Sequence, residues 1–295
     1  MQNPRHLFSI AAVFLVCTIF SARILAGEVE ADASSNGDAS KPLWELNLAA
    51  YGRYGASYPA SEESQLNFIP LPFPVYRGKI LRVGDSTEKP VTTRLFRRDR
   101  IKLDFDFGLN FPVDSKDVDA RTGMPDLDLL VEAGPELELQ FVKAPADIGD
   151  MFLSLQMRGA YSFDGLDPTW RGTIASTEFK YVRPFNSDRT EFIIRLTPEW
   201  ASTDYMDFFY SVAPEFATSE RTAYNAKSGY LGTKLAFSVK HNFTNKFQLR
   251  SGIRFGFYQG ARNEDSPLFT QDTTTSVYVA VLWKVWESKR DADSD

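Results

Sequence analysis

The stretch RIKLDFDFGLNF, Arg100 to Phe111, alternates strictly between apolar and polar positions. Ile101, Leu103, Phe105, Phe107, Leu109 and Phe111 share one parity, and Lys102, Asp104, Asp106, Gly108 and Asn110 share the other. A period of two puts the two sets on opposite faces of a β-strand. In a soluble sandwich the apolar face packs on a core and the charged face meets solvent. In a membrane barrel the apolar face meets lipid and the charged face lines the lumen. Much of the remaining chain turns on that choice.

The same alternation recurs in 43–52, 153–163, 191–200, 230–243, 246–260 and 276–286. Weaker candidates at 66–77, 79–86, 126–141, 172–183 and 204–214 bring the expected count to about twelve strands. Many run past ten residues. At a rise of about 3.3 Å per residue and a tilt near 40°, eleven residues climb about 28 Å, enough for an apolar band about 25 Å tall. Sandwich strands are commonly five or six residues long. Aromatics such as Phe105, Tyr161, Trp200, Phe257 and Trp283 fall towards strand ends, as membrane girdles do. The fold class is therefore all-β, a transmembrane antiparallel up-and-down β-barrel. Its candidate lumen charges are Lys102, Asp104, Asp106, Glu132, Glu136, Glu138, Arg158, Arg195, Arg250 and Arg254.

The start of the chain sets the compartment. Arg5 and His6 precede the apolar run LFSIAAVFLVCTIFSA, 7–22, and no acid occurs before Glu28. This is the layout of a secretory signal peptide, with cleavage expected after Ala26. The run falls short of the roughly 20 residues a spanning helix needs. The only cysteine, Cys17, lies inside it, so the exported chain is cysteine-free and is not a disulfide scaffold. Residues 27–42 read as a polar, disordered lead-in, 43–286 as the barrel and 287–295 as a polar tail. The 39 acidic residues outnumber 33 basic ones, which argues against nucleic acid as a partner.

With both termini on the periplasmic side of a Gram-negative outer membrane, the stretches 53–65, 87–98, 215–228 and 260–273 become outer loops. The connection 112–125 is long, yet falls on the side of the termini in this scheme. Its Arg121, Gly123, Met124, Pro125 and Asp126 are the candidate periplasmic contact. Pro70, Pro72 and Pro74 share one parity, so three ladder bonds to one neighbour are lost. A bulged or splayed seam is expected there.

Nothing in the sequence builds a hydrolytic site. A serine nucleophile needs a base in reach, and the single histidine after the leader, His241, sits beside the Thr244 turn. No His, Cys and carboxylate set has metal spacing, and no cofactor is implied.

Several ordered pieces, LPFPVYRG (71–78), ARTGMPDLDLLVEAGPELEL (120–139), FFYSVAP (208–214), AYNAKSGY (223–230) and DSPL (265–268), resemble the MipA/OmpV family of outer-membrane proteins. The resemblance implies a monomeric barrel in outer-membrane lipid and makes Asp265, Ser266 and Pro267 a family loop motif. Its best-known member is described as a scaffold joining a lytic murein transglycosylase to a penicillin-binding protein, while others are described as porin-like channels or surface adhesins. The sequence departs from barrel habit at its end, where LWKVW is followed by ESKRDADSD rather than by a terminal aromatic.

Overall fold

A computed structural model describes residues 42–77, 82–86, 89–92, 96–98, 100–145, 148–185 and 189–289. The leader, nearly all of the lead-in and the tail beyond 289 lie outside the described residues. One antiparallel sheet carries thirteen strands in the order β4-β3-β2-β1-β13-β12-β11-β10-β9-β8-β7-β6-β5.

Ten strands are long: β1 (Trp44–Ala56), β2 (Ser64–Arg77), β6 (Ile101–Asn110), β7 (Leu129–Val142), β8 (Asp150–Asp164), β9 (Asp167–Phe185), β10 (Thr190–Ala201), β11 (Gly229–Thr244), β12 (Phe247–Phe257) and β13 (Thr273–Glu287). Three are short: β3 (Arg82–Ser86), β4 (Lys89–Thr92) and β5 (Phe96–Arg98). The expected count of twelve thus becomes ten full-length strands. The 79–86 candidate yields only β3. The 204–214 candidate is instead a helix, α1 (Thr203–Tyr210). Its buried residues Tyr205, Met206, Phe209 and Tyr210 follow the helical spacing i, i+1, i+4, i+5.

The sheet turns its apolar face outward. Leu66, Phe68, Phe105, Leu155, Met157, Ile194, Phe237, Val277 and Val279 are exposed, whereas Asp106 is 0% and Lys240 1% exposed. This is a soluble protein inverted, and it answers the question posed by 100–111: its charged face looks inward. Aromatic pairs gather at both rims. Tyr161–Trp170 and Trp200–Tyr230 stand at one end, with ring centroids 5.0 and 5.8 Å apart. Phe185–Phe192 and Phe243–Phe247 stand at the other, 5.9 and 5.6 Å apart, with Trp44 and Trp286 at the same end. Two bands at opposite strand ends are the membrane-girdle arrangement.

At the end away from the first and last strand ends, residues of β1 and β2 and of the connection between them reach residues of the connection after β6. Gln65 Nε2 of β2 donates to Pro112 O, just beyond β6, at 3.3 Å. Asp119 N donates to Glu63 Oε1 at 3.0 Å. The Tyr51 and Phe111 rings stack 6.3 Å apart.

The proline strand does not bulge against β1. Its register runs unbroken from Trp44↔Tyr76 to Ala56↔Ser64. Such a ladder requires the three proline nitrogens to face the other way, towards β3. There β2 pairs at only two positions, Tyr76↔Val83 and Arg77↔Arg82. The splaying expected from the prolines therefore falls on the β3 side alone.

Direction along the chain corrects two expectations. The connections 57–63, 111–128, 202–228 and 258–272 all emerge at the end opposite the termini. The 112–125 connection, expected beside the termini, is thus on the far side. The stretch 87–98, expected to be an outer loop, contains β4 and β5, and this extra passage reverses the direction of β6.

Candidate functional site

Inside the sheet the predicted lumen charges form an ion-pair lattice on strands β6 to β11. Arg158 of β8 is its centre. Its guanidinium pairs with Asp106 of β6, with Glu132 of β7 at 2.9 Å and with Glu199 of β10 at 3.8 Å. Gly134 permits this approach of β7 to β8: a Cβ there would stand 1.9 Å from Met157 O. Glu132 also accepts bonds from Asn110 Nδ2 at 2.8 Å and from the Tyr205 hydroxyl of α1 at 2.7 Å. One layer towards the termini, Gln156 donates to Glu136 at 2.9 Å and accepts from Ser176 at 2.7 Å. Beyond it Glu138 takes Lys180 at 2.8 Å and Lys102 at 3.1 Å. Lys240 pairs with Glu191 at 2.6 Å, and Lys234 with Glu199 at 2.7 Å. Charge-assisted bonds of this kind compensate for lost hydration.

Above the lattice the four long connections pack into a cap. Its core joins Tyr58, Val113, Val118, Leu127, Tyr205, Met206, Phe209, Tyr210 and Ala226. Helix α1 is seated by Gly172, whose φ of +84° favours glycine and whose Cβ would meet Ser202 Oγ at 2.2 Å. Ser202 Oγ in turn accepts from Thr173 N at 2.9 Å. Two arginines tie the loops by their backbones. Arg121 donates to Pro125 O at 3.0 Å and Phe209 O at 3.4 Å, and Arg221 donates to Ala120 O at 2.9 Å and Thr122 O at 3.0 Å. Tyr58 donates to Leu268 O at 2.7 Å. Burial pushes its phenol up to about 12, although the Arg121 guanidinium, 5.8 Å above its ring, pulls the other way.

The sequence-derived residues divide accordingly. Lys102, Asp106, Glu132, Glu136, Glu138 and Arg158 belong to the lattice. Asp104 is half-buried and accepts from the backbone N of Phe105 at 2.9 Å. Arg195 stands 3.8 Å from Glu178. Arg195, Arg250 and Arg254 line a cavity of about 290 Å³ beneath the cap. The proposed contact set fares differently. Arg121 is 3% exposed and serves as a tie inside the cap, while Gly123, Pro125 and Asp126 are exposed on its surface and Met124 is half-buried. Asp126 accepts from Ser115 N at 2.7 Å. In the family loop motif Ser266 is buried and donates to Tyr210 O at 2.7 Å, with Asp265 exposed and Pro267 half-buried beside it. That motif holds the cap to α1.

Sequence reasoning missed Lys180, Tyr205, Arg53, Tyr51 and Tyr278 as lumen residues. Tyr205 carried a usable signal, the helical spacing of TDYMDFFY after Ser202. His241 lies where expected, near the 245–246 turn, with Nδ1 2.8 Å from Thr190 Oγ1. Among the described residues, no group of three His, Cys, Asp or Glu could hold a metal.

No curated protein matches the chain. A solved outer-membrane channel from Pseudomonas putida F1 is similar at 12% identity, covering 87% of this chain and 100% of its own, with a TM-score of 0.42. The toluene transporter TodX of Pseudomonas putida is similar at 11% identity over 89% of this chain and 97% of its own, with a TM-score of 0.32. Outer membrane phospholipase A from Escherichia coli is similar at 13% identity over 83% of this chain and 98% of its own, with a TM-score of 0.33. The family model described as MltA-interacting protein MipA matches residues 48–285, nearly the whole described sheet, so the chain belongs to the MipA family and is a β-barrel protein of the Gram-negative outer membrane.

Proposed function

We propose that this chain is a non-enzymatic, closed and capped outer-membrane barrel that docks a peptidoglycan-processing enzyme at the end carrying its termini. The observation that carries the reading is the cap. Four connections packed on one apolar core stand over a lumen crossed by ion pairs. A side-chain-filled barrel of this kind works through its rims rather than as a wide pore. Closure through the short strands is supported by two facts: β4 and β5 adjoin in sequence while standing at the two ends of the strand order, and β4 touches β6. The family's name supplies the partner class, a murein lytic transglycosylase.

With the cap outside the cell, the docking surface is the rim of short connections, including Lys143 and Lys246. The exposed part of 119–126 belongs to the cap. Immobilised barrel should capture a lytic transglycosylase of the same envelope. Lys143→Glu with Lys246→Glu should reduce capture, and Pro125→Ala with Asp126→Ala should leave it intact. Capture that depends on the cap residues instead, or no capture at all, would overturn the reading. A narrow channel is the second reading, favoured by the 290 Å³ cavity. Reproducible single-channel steps in a planar bilayer would select it.

A further inference from the structure

The cavity under the cap has two unlike walls. Every carboxylate in its lining, Glu132, Glu136, Glu138, Glu178 and Glu199, lies on β7, β9 or β10. Strands β1, β12 and β13 contribute Arg53, Arg250 and Arg254 with the phenols of Tyr51 and Tyr278, and no acid. Arg53 Nη2 donates to Ala56 O at 3.1 Å, while its Nε is buried with no hydrogen-bond partner. Among the described residues, neither Arg53 nor Arg254 forms an ion pair, and the two stand within Coulomb range of one another. The Tyr51 and Tyr278 rings stack 6.1 Å apart on the same wall.

Like charges in a partly enclosed space repel more strongly than in bulk water. Guanidinium forks answer that repulsion best by binding a planar or tetrahedral oxyanion with two parallel N–H bonds. The phenols add hydroxyl donors and apolar ring faces. We propose that this wall is a binding subsite for a small solute bearing a carboxylate or phosphate, held by Arg53 and Arg254 against Tyr51 and Tyr278. The subsite is separate from docking at the rim and stands or falls without it.

The test is isothermal titration of the refolded full barrel in detergent, at constant ionic strength, with glucuronate, inorganic phosphate and glucose as probes. Saturable binding of glucuronate or phosphate, but not of glucose, is expected. Which of the two binds identifies the oxyanion. Arg53→Gln with Arg254→Gln should weaken it about tenfold or more. Lys116→Gln, an exposed charge on the cap, should change nothing. If the double glutamine variant loses the heat-modifiable mobility of a folded barrel on gels, Arg254→Lys replaces it. That variant keeps the charge but not the fork, and should weaken binding less. Equal affinity for glucose, no binding to wild type, or wild-type affinity in every folded arginine variant would overturn the proposal.

Discussion

The two walls of the lumen solve the same problem in opposite ways. On β6 to β10, Arg158, Lys180 and Lys102 each face carboxylates, and the cap contributes the Tyr205 hydroxyl to the lattice. On β1 and β12, Arg53 and Arg254 stand beside tyrosines. The first wall is a structural strut: each charge is offset by its neighbours, and removing one strands the others. The second carries the proposed subsite, because Arg53 and Arg254 form no ion pair among the described residues. The comparison teaches that a lumen charge cannot be assigned to packing or to recognition by its residue type. What decides is the company that the neighbouring strands supply.

The sharpest way to break the contrast is Arg158→Gln. It takes the shared cation from the buried Asp106 and Glu132, and leaves Glu199 with Lys234 alone. Uncompensated buried charge costs about 3–5 kcal/mol. The barrel should lose its heat-modifiable gel mobility at a clearly lower temperature and unfold from vesicles at lower urea. An unchanged midpoint would mean that water, not Arg158, solvates those acids.

The cap should loosen in alkali. The Tyr58 phenol is held up to about 12 chiefly by burial, against an ordinary value of 10.0. A folded value above the unfolded one means stability that is complete below pH 10, falls between pH 10 and 12, and is gone above that range. The contribution is at most about 3 kcal/mol. Protease cleavage of the connections 202–228 and 258–272 should therefore rise across that window. Tyr58→Phe should flatten the rise, because its group no longer ionises. A smaller effect is expected from Tyr205→Phe, which removes one hydrogen bond to the charged Glu132. That bond is worth about 1.5–3 kcal/mol, and the loss should appear as cap cleavage before the sheet itself unfolds.

The paired wall was largely legible in the sequence, and the other wall was not, for a physical reason. Alternation fixes which face a residue takes, so Asp106, Glu132, Glu138 and Arg158 could be set inside from period two alone. Partnership depends on register and on which strands adjoin, which alternation does not encode. Arg254 therefore read like Arg158. Direction was lost in a similar way. The strands β4 and β5 interrupt 87–98, whose Pro90 and mixed charges conceal them, while FFYSVAP at 208–214 passed for strand although α1 claims its first residues. The two errors cancel in parity. The first and last strands and the last three connections kept their expected ends, while everything from β6 to β10 was inverted, the 112–125 connection included.

The smallest expected effect sharpens the comparison most. Arg254→Gln removes a lumen cation of the same type as Arg158, on a long strand of the same sheet. If the second wall is not a strut, nothing is stranded by its loss, and the repulsion with Arg53 is relieved. The unfolding midpoint should then move by no more than about 1 kcal/mol in either direction. Set beside several kcal/mol for Arg158→Gln, that difference would separate a charge held for structure from one held for a solute. A loss at Arg254 as large as at Arg158 would make both walls struts, and would remove the ground for treating them as different.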